Sequence, residues 1–154
     1  MIDLLQKLIE TDALATQRVR ETLRGTDTAA IELLSHILAS KRVWLARIEG
    51  RDTSGMSPFD EWNLGECEAI AGEVDAGWRS YLAKLRDPDL GRSFTYTNKQ
   101  GQSFTSSIGD ILLQVAVHGA HHRGQINKLI REAGGTPPLV DYIVFNRTVG
   151  AAPA

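Results

Sequence analysis

A chain of 154 residues, 42% hydrophobic and 23% charged, is long enough to fold as one domain around a real core. Its formal net charge of -2, with Lys and Arg spread along the chain, lacks the footprint of a binder of nucleic acid or anionic membrane. A single cysteine excludes an internal disulfide and a cysteine zinc site, no stretch approaches a transmembrane span, and Met1-Ile2-Asp3-Leu4-Leu5-Gln6-Lys7 does not read as a signal peptide; the expected location is the cytoplasm.

In chain order, residues 3 to about 24 carry Leu4, Leu5, Leu8, Ile9, Leu14, Val19 and Leu23, mostly at helical intervals. Gly25-Thr26-Asp27-Thr28 breaks that pattern, and Asp27 or Thr28 can cap a second helix running through His36 and Trp44 to Glu49 and stopping at Gly50. A polar loop from Arg51 to Pro58 continues through Phe59, Trp62 and Leu64, too aromatic for a mere linker and expected to lie over the end of the fold. From Glu66 to about Arg86 the apolar set Ile70, Val74, Trp78, Tyr81, Leu82 and Leu85 predicts a third helix, ended by Asp87-Pro88.

Arg92 to Thr97 and Ser103 to Thr105, joined by Asn98-Lys99-Gln100-Gly101, read as a small hairpin. Ser106 or Ser107 can cap a long fourth helix that reaches Ala133 and ends at Gly134-Gly135-Thr136-Pro137-Pro138. Leu139 to Phe145 reads as a short helix or turn, and residues 150–154 as a loose tail after a single domain spanning 1–149. Four amphipathic helices with one hairpin insert before the last of them specify an all-α, up-and-down four-helix bundle or a close variant.

Three of the four histidines fall in Val117-His118-Gly119-Ala120-His121-His122-Arg123-Gly124-Gln125-Ile126. At about 100° per residue, His118 and His122 lie roughly 40° apart on one helical face, one turn apart. Ile111, Val115 and Leu129 share that face, so both imidazoles are expected to point inward, where each needs hydrogen-bond partners. His36 lies on a face with Leu33, Ser40 and Val43 and is expected to point inward too. Two readings fit: core histidines with satisfied ring nitrogens, or three imidazoles from two helices holding one metal ion with a position open for water or substrate. Three nitrogen ligands suit zinc, nickel, iron and copper alike.

Around that cluster, Gln125 can hydrogen-bond a metal-bound water or substrate, or serve as a packing amide. Glu32, one turn before His36, can orient that imidazole, act as a base, or simply be solvated. Arg123 projects about 140° from His118, which favours a structural salt bridge or dimer contact over an anion clamp. Cys67 near a helix start can be read as a nucleophile, or more simply as buried filler. Trp44, Trp62, Trp78 and Tyr96 belong to core or pocket wall.

The segments Leu33-Leu34-Ser35-His36-Ile37-Leu38, His118-Gly119-Ala120-His121-His122-Arg123-Gly124-Gln125-Ile126, and Gly134-Gly135-Thr136-Pro137-Pro138 leading to Asp141-Tyr142 match a known pattern. Over nearly its whole length the chain resembles the DinB/YfiT family of small helical bundles, which is unrelated to the polymerase sharing the name. The resemblance implies a four-helix bundle with one divalent metal, often nickel or zinc, and carries the ligand role onto His36, His118 and His122. His121 falls where the family often has tyrosine or another residue, which makes it a pocket neighbour. The resemblance also implies a homodimer acting on a small molecule. Related branches include bacillithiol- or mycothiol-dependent S-transferases and a mycothiol-dependent maleylpyruvate isomerase. The implied function is therefore a thiol S-transferase that detoxifies electrophiles with a low-molecular-weight thiol as co-substrate. The alternatives are a metal-dependent hydrolase and a non-catalytic metal-binding stress-response protein.

Overall fold

The computed structural model describes residues 1–98 and 100–147, so the tail expected at 150–154 lies outside the described residues. Four long helices form: α1 (Ile2–Thr22), α2 (Thr28–Ile48), α3 (Leu64–Leu82) and α4 (Ile108–Glu132). A 3-10 turn (Asp87–Gly91) and a hairpin of β1 (Ser93–Thr97) and β2 (Ser103–Ser107) separate α3 from α4, and α5 (Tyr142–Asn146) closes the described chain. The bundle and its hairpin insert stand as the periodicity predicts.

Local chemistry sets the boundaries. At the start of α3, Asn63 Oδ1 accepts from Glu66 N at 3.0 Å while Glu66 Oε2 accepts from Asn63 N at 2.8 Å. This reciprocal cap starts the helix at Leu64, two residues before the predicted Glu66. The same helix ends at Leu82 rather than near Arg86, because Lys84 N and Leu85 N turn to the carbonyls of Tyr81 and Leu82 ahead of Asp87-Pro88. Of the two serines able to cap α4, Ser107 does so, its Oγ accepting from Asp110 N at 3.1 Å. Gly134, at φ +80, reverses the chain after α4, and Gly135 N bonds the Ile130 carbonyl at 2.8 Å. In the hairpin Thr95 pairs with Thr105 and Tyr96 with Phe104, and the Tyr96 ring meets Trp44 of α2 edge-on at 5.0 Å.

Two apolar clusters fill the bundle. One joins Ile9, Leu45, Trp78, Leu82, Ile111 and Leu112; the other joins Val19, Leu34, Leu38, Cys67, Ala71 and Ile126. Passing from the first cluster to the second is forward along α1 and α4 but backward along α2 and α3, so the helices run up, down, down, up. This is the close variant of the simple alternation. It makes α2 and α3 parallel neighbours, so the connection 49–63 must return along the length of the bundle.

Between the two clusters lies a buried charged layer contributed by all four long helices. Asp12, Lys41 and Arg123 are each no more than 4% exposed. Lys41 Nζ lies 3.1 Å from Asp12 Oδ2 and 3.0 Å from Asp75 Oδ1, and Arg123 Nη1 donates to Asp12 Oδ1 and, at 2.9 Å, to Thr16 Oγ1. Burial pulls the Lys41 pKa down, but Asp12 and Asp75 together outweigh it and hold it above the ordinary value. Lys41 is therefore a cation throughout the neutral range. Its stabilising contribution is lost only as pH rises through that raised value.

Candidate metal centre

His36 on α2 meets His118 and His122 on the antiparallel neighbour α4. Their ring centroids are 4.4 to 4.9 Å apart, each pair set edge-on. The three ligand nitrogens lie within 4.8 Å of one another, and His36 Nε2 is 3.1 Å from His118 Nε2. A tetrahedral ion with Zn–N bonds near 2.0 Å separates its donors by roughly 3.3 Å. The cluster is therefore on the scale of one coordination sphere.

Hydrogen bonds at the far sides of two rings decide which nitrogens are free. His36 Nδ1 donates to the Pro58 carbonyl at 2.6 Å, and His122 Nδ1 donates to Gln125 Oε1 at 2.6 Å. A carbonyl oxygen only accepts, so both protons sit on Nδ1 and both Nε2 lone pairs face the centre. Burial first, and then the neighbouring His122, His36 and His121, push the His118 pKa down to about 4. Burial also lowers that of His122, against the pull of its Gln125 bond. Both imidazoles are neutral near pH 7, the form a metal requires. The donor set and its fixed tautomers thus fit a divalent ion.

The depressed His118 value has a consequence for the metal-free protein. The unfolded chain takes up this proton below about 6.5 and the folded chain only near 4, so stability falls as pH drops through that window. Replacing His118 with glutamine is expected to flatten part of that fall, which urea unfolding at a series of pH values measures.

The three imidazoles are half-buried rather than sunk in the apolar core. The returning connection covers His36 from outside. Ser35 Oγ donates to the Asp60 carbonyl and accepts from Trp62 N at 3.1 Å, pinning the segment to α2. Phe59 then stacks on His36, with centroids 4.9 Å apart and planes at 10°.

Gln125 takes a role other than the two its position suggested, as the acceptor for His122 Nδ1. His121 is exposed and packs edge-on against His122 at 5.0 Å. Glu32 is also exposed, and the orienting role that its spacing suggested falls to the Pro58 carbonyl. Arg123 is the buried structural pair that its projection favoured, with Asp12 as partner. Cys67 is fully buried, and burial pushes its thiol up to about 11, which removes it as a nucleophile. Trp78 lies in the core, its Nε1 donating to the Lys41 carbonyl at 3.2 Å.

Sequence reasoning missed Pro58 and Phe59, whose roles depend on the path of the connection. It also missed Asp12 and Lys41, although a signal existed. Both are charged residues at core positions, Asp12 in the series Ile9, Asp12, Thr16, Val19 and Lys41 in Leu34, Leu38, Lys41, Leu45.

The fold and site define a class: a helical bundle with a cluster of three histidines positioned to bind a metal ion. The chain belongs to the DinB family, whose sequence profile matches residues 6–150. It is 22% identical to Protein DinB of Bacillus subtilis (strain 168) over 163 residues, covering 94% of this chain and 95% of that protein. It is 29% identical over 112 residues to the uncharacterized protein YjoA of the same strain, covering 72% and 71%. The crystal structure of a DinB-like protein from Bacillus cereus ATCC 10987 shares the fold, with a TM-score of 0.63, 17% identity and 84% and 91% of the two chains covered. Among the described residues no helix is long and apolar enough to cross a membrane.

Proposed function

We propose that this chain is a metal-dependent thiol S-transferase of the cytoplasm, acting as a homodimer on small electrophiles, with His36, His118 and His122 holding one zinc or nickel ion. The observation that carries the reading is the pair of fixed tautomers. The Pro58 carbonyl and the Gln125 amide hold two imidazoles with their lone pairs turned to a common centre, which a core histidine does not need. Among the described residues the cluster has three protein donors rather than four, which matches the pattern of a catalytic site. A divalent ion held there supplies Lewis acidity that keeps an approaching thiol ionised near neutral pH. The chain contributes the rest: Phe59 shields one face of His36 from water, and burial keeps His118 unprotonated.

The test starts with elemental analysis of protein purified without a histidine tag or added metal, beside His36→Ala and His122→Ala. About one ion per chain in the parent, lost in both variants, is expected for a three-histidine site. Bacillithiol, mycothiol and glutathione are then assayed with electrophilic substrates. Turnover without any thiol would replace the transferase by a hydrolase, and a metal without turnover would leave a stress-response binding protein. A parent free of metal after dialysis against zinc and nickel defeats the proposal.

A further inference from the structure

On α2, Arg47 lies eleven positions after His36 and returns to the same helical face about 16 Å along the axis. Beside that stretch of helix lies a cavity of about 940 Å³, walled by Val43 and Arg47 of α2, by the connection through Pro58 and Phe59, and by Tyr96 of the hairpin. Pro58 and Phe59 are the two residues that hold and cover His36. The cavity therefore adjoins the outer side of His36 across Pro58 and Phe59, without being lined by any of the three histidines.

The charges on this wall are unequal. Arg51 is paired with Glu49 at 2.8 Å, and the Asp52 carboxylate accepts from Ser54 N and Oγ at 2.9 and 2.8 Å. Arg47 has no carboxylate partner among the described residues, and its Nε is buried without a hydrogen bond. Its guanidinium is held instead against the rings of Trp44 and Tyr96, 4.9 Å from each centroid. Burial draws its pKa below the ordinary arginine value. A cation fixed by two aromatic rings, partly desolvated and uncompensated, is a seat for an oxyanion.

We propose that Arg47 is an anion-binding residue of the same active site, so that the substrate is an extended small molecule with its reactive group at the histidine cluster and a carboxylate or phosphate at Arg47. This deepens the transferase reading and rests on it for the reactive end. The anion end has its own readout.

Two-dimensional NMR of the full chain, with and without zinc, follows the Arg47 Nε–H and Trp44 indole N–H as glutarate or inorganic phosphate is added, against a sodium chloride control. Saturable shifts that persist without zinc, and affinity reduced by roughly tenfold or more in Arg47→Gln, are expected from the loss of a charged hydrogen-bonding partner. Arg47→Lys, which keeps the charge without the planar fork, is expected to bind between the two and guards against a folding defect in the first variant. A response to glutarate alone assigns the anion as a carboxylate, and to phosphate alone as a phosphoryl group. No shift beyond the chloride control, or equal binding by parent and both variants, overturns the proposal. Because the readout does not require the ion, a failed metal analysis and a failed anion titration are separate results.

Discussion

Replacing Asp12 with alanine is expected to destabilise the protein by about 3–5 kcal/mol, the range for removing one partner of a buried ion pair. Asp12 is the carboxylate shared by Lys41 and Arg123. Without it, two buried cations are left with Asp75, which is itself partly exposed. Most of the damage comes from the charges left behind, buried and unpaired, rather than from the bonds lost. In a chain of this size the melting temperature is expected to fall by roughly 10 °C, and urea unfolding supplies the matching free energy. A loss under about 1 kcal/mol, as for an exposed pair, would mean that water reaches the layer.

Two glycines of α4 are expected to respond to alanine in opposite directions. A Cβ built on Gly119 would sit 2.1 Å from Asp12 Oδ1 and 2.8 Å from Arg123 Nη1, so the buried pair has to move to admit it. Alanine gains up to about 1 kcal/mol in helix propensity, but overpacking a filled core costs about 1–3 kcal/mol, with disruption of the ion pair added to it. Gly119→Ala is therefore destabilising. Gly124 meets nothing within 4 Å and is exposed, so Gly124→Ala keeps the propensity gain and is expected to stabilise by about 0.4–1 kcal/mol. Parallel thermal melts of the two variants decide the matter. A destabilised Gly124→Ala would show that this face of α4 is covered in solution, as in a dimer.

Much of the fold could be read from the sequence because its signals are local. Apolar spacing marked all four long helices, Gly50 and Gly134 marked two of their ends, and alternation around Asn98 to Gly101 marked the hairpin. The direction of α3 was not legible, since a helix looks the same in sequence whether it runs parallel or antiparallel to its neighbour. The histidines were legible for the same local reason: the one-turn spacing of His118 and His122 shows in any helical projection. Their partners were of mixed kind. Gln125 lies three residues from His122, so its place beside the cluster was legible though its bond to that ring was not, whereas Pro58 acts through its backbone oxygen and leaves no trace in its side chain. Asp12 and Lys41 pair across helices 29 positions apart, and each alone resembles an ordinary surface charge.

The parallel course of α2 and α3 carries a consequence for how such a site is rewritten. The segment that returns between them owes its place to topology, and it grips His36 through a main-chain oxygen that any residue at position 58 would supply. Phe59 stacks on His36 through its side chain, and the polar stretch before it lines the adjoining cavity. The polar lining of the cavity and the anchoring of His36 thus fall on neighbouring but different stretches of one connection, residues 51–57 and 58–59. Exchanging residues 51–57 for other loop sequences is expected to reshape the cavity while leaving the three histidines in place.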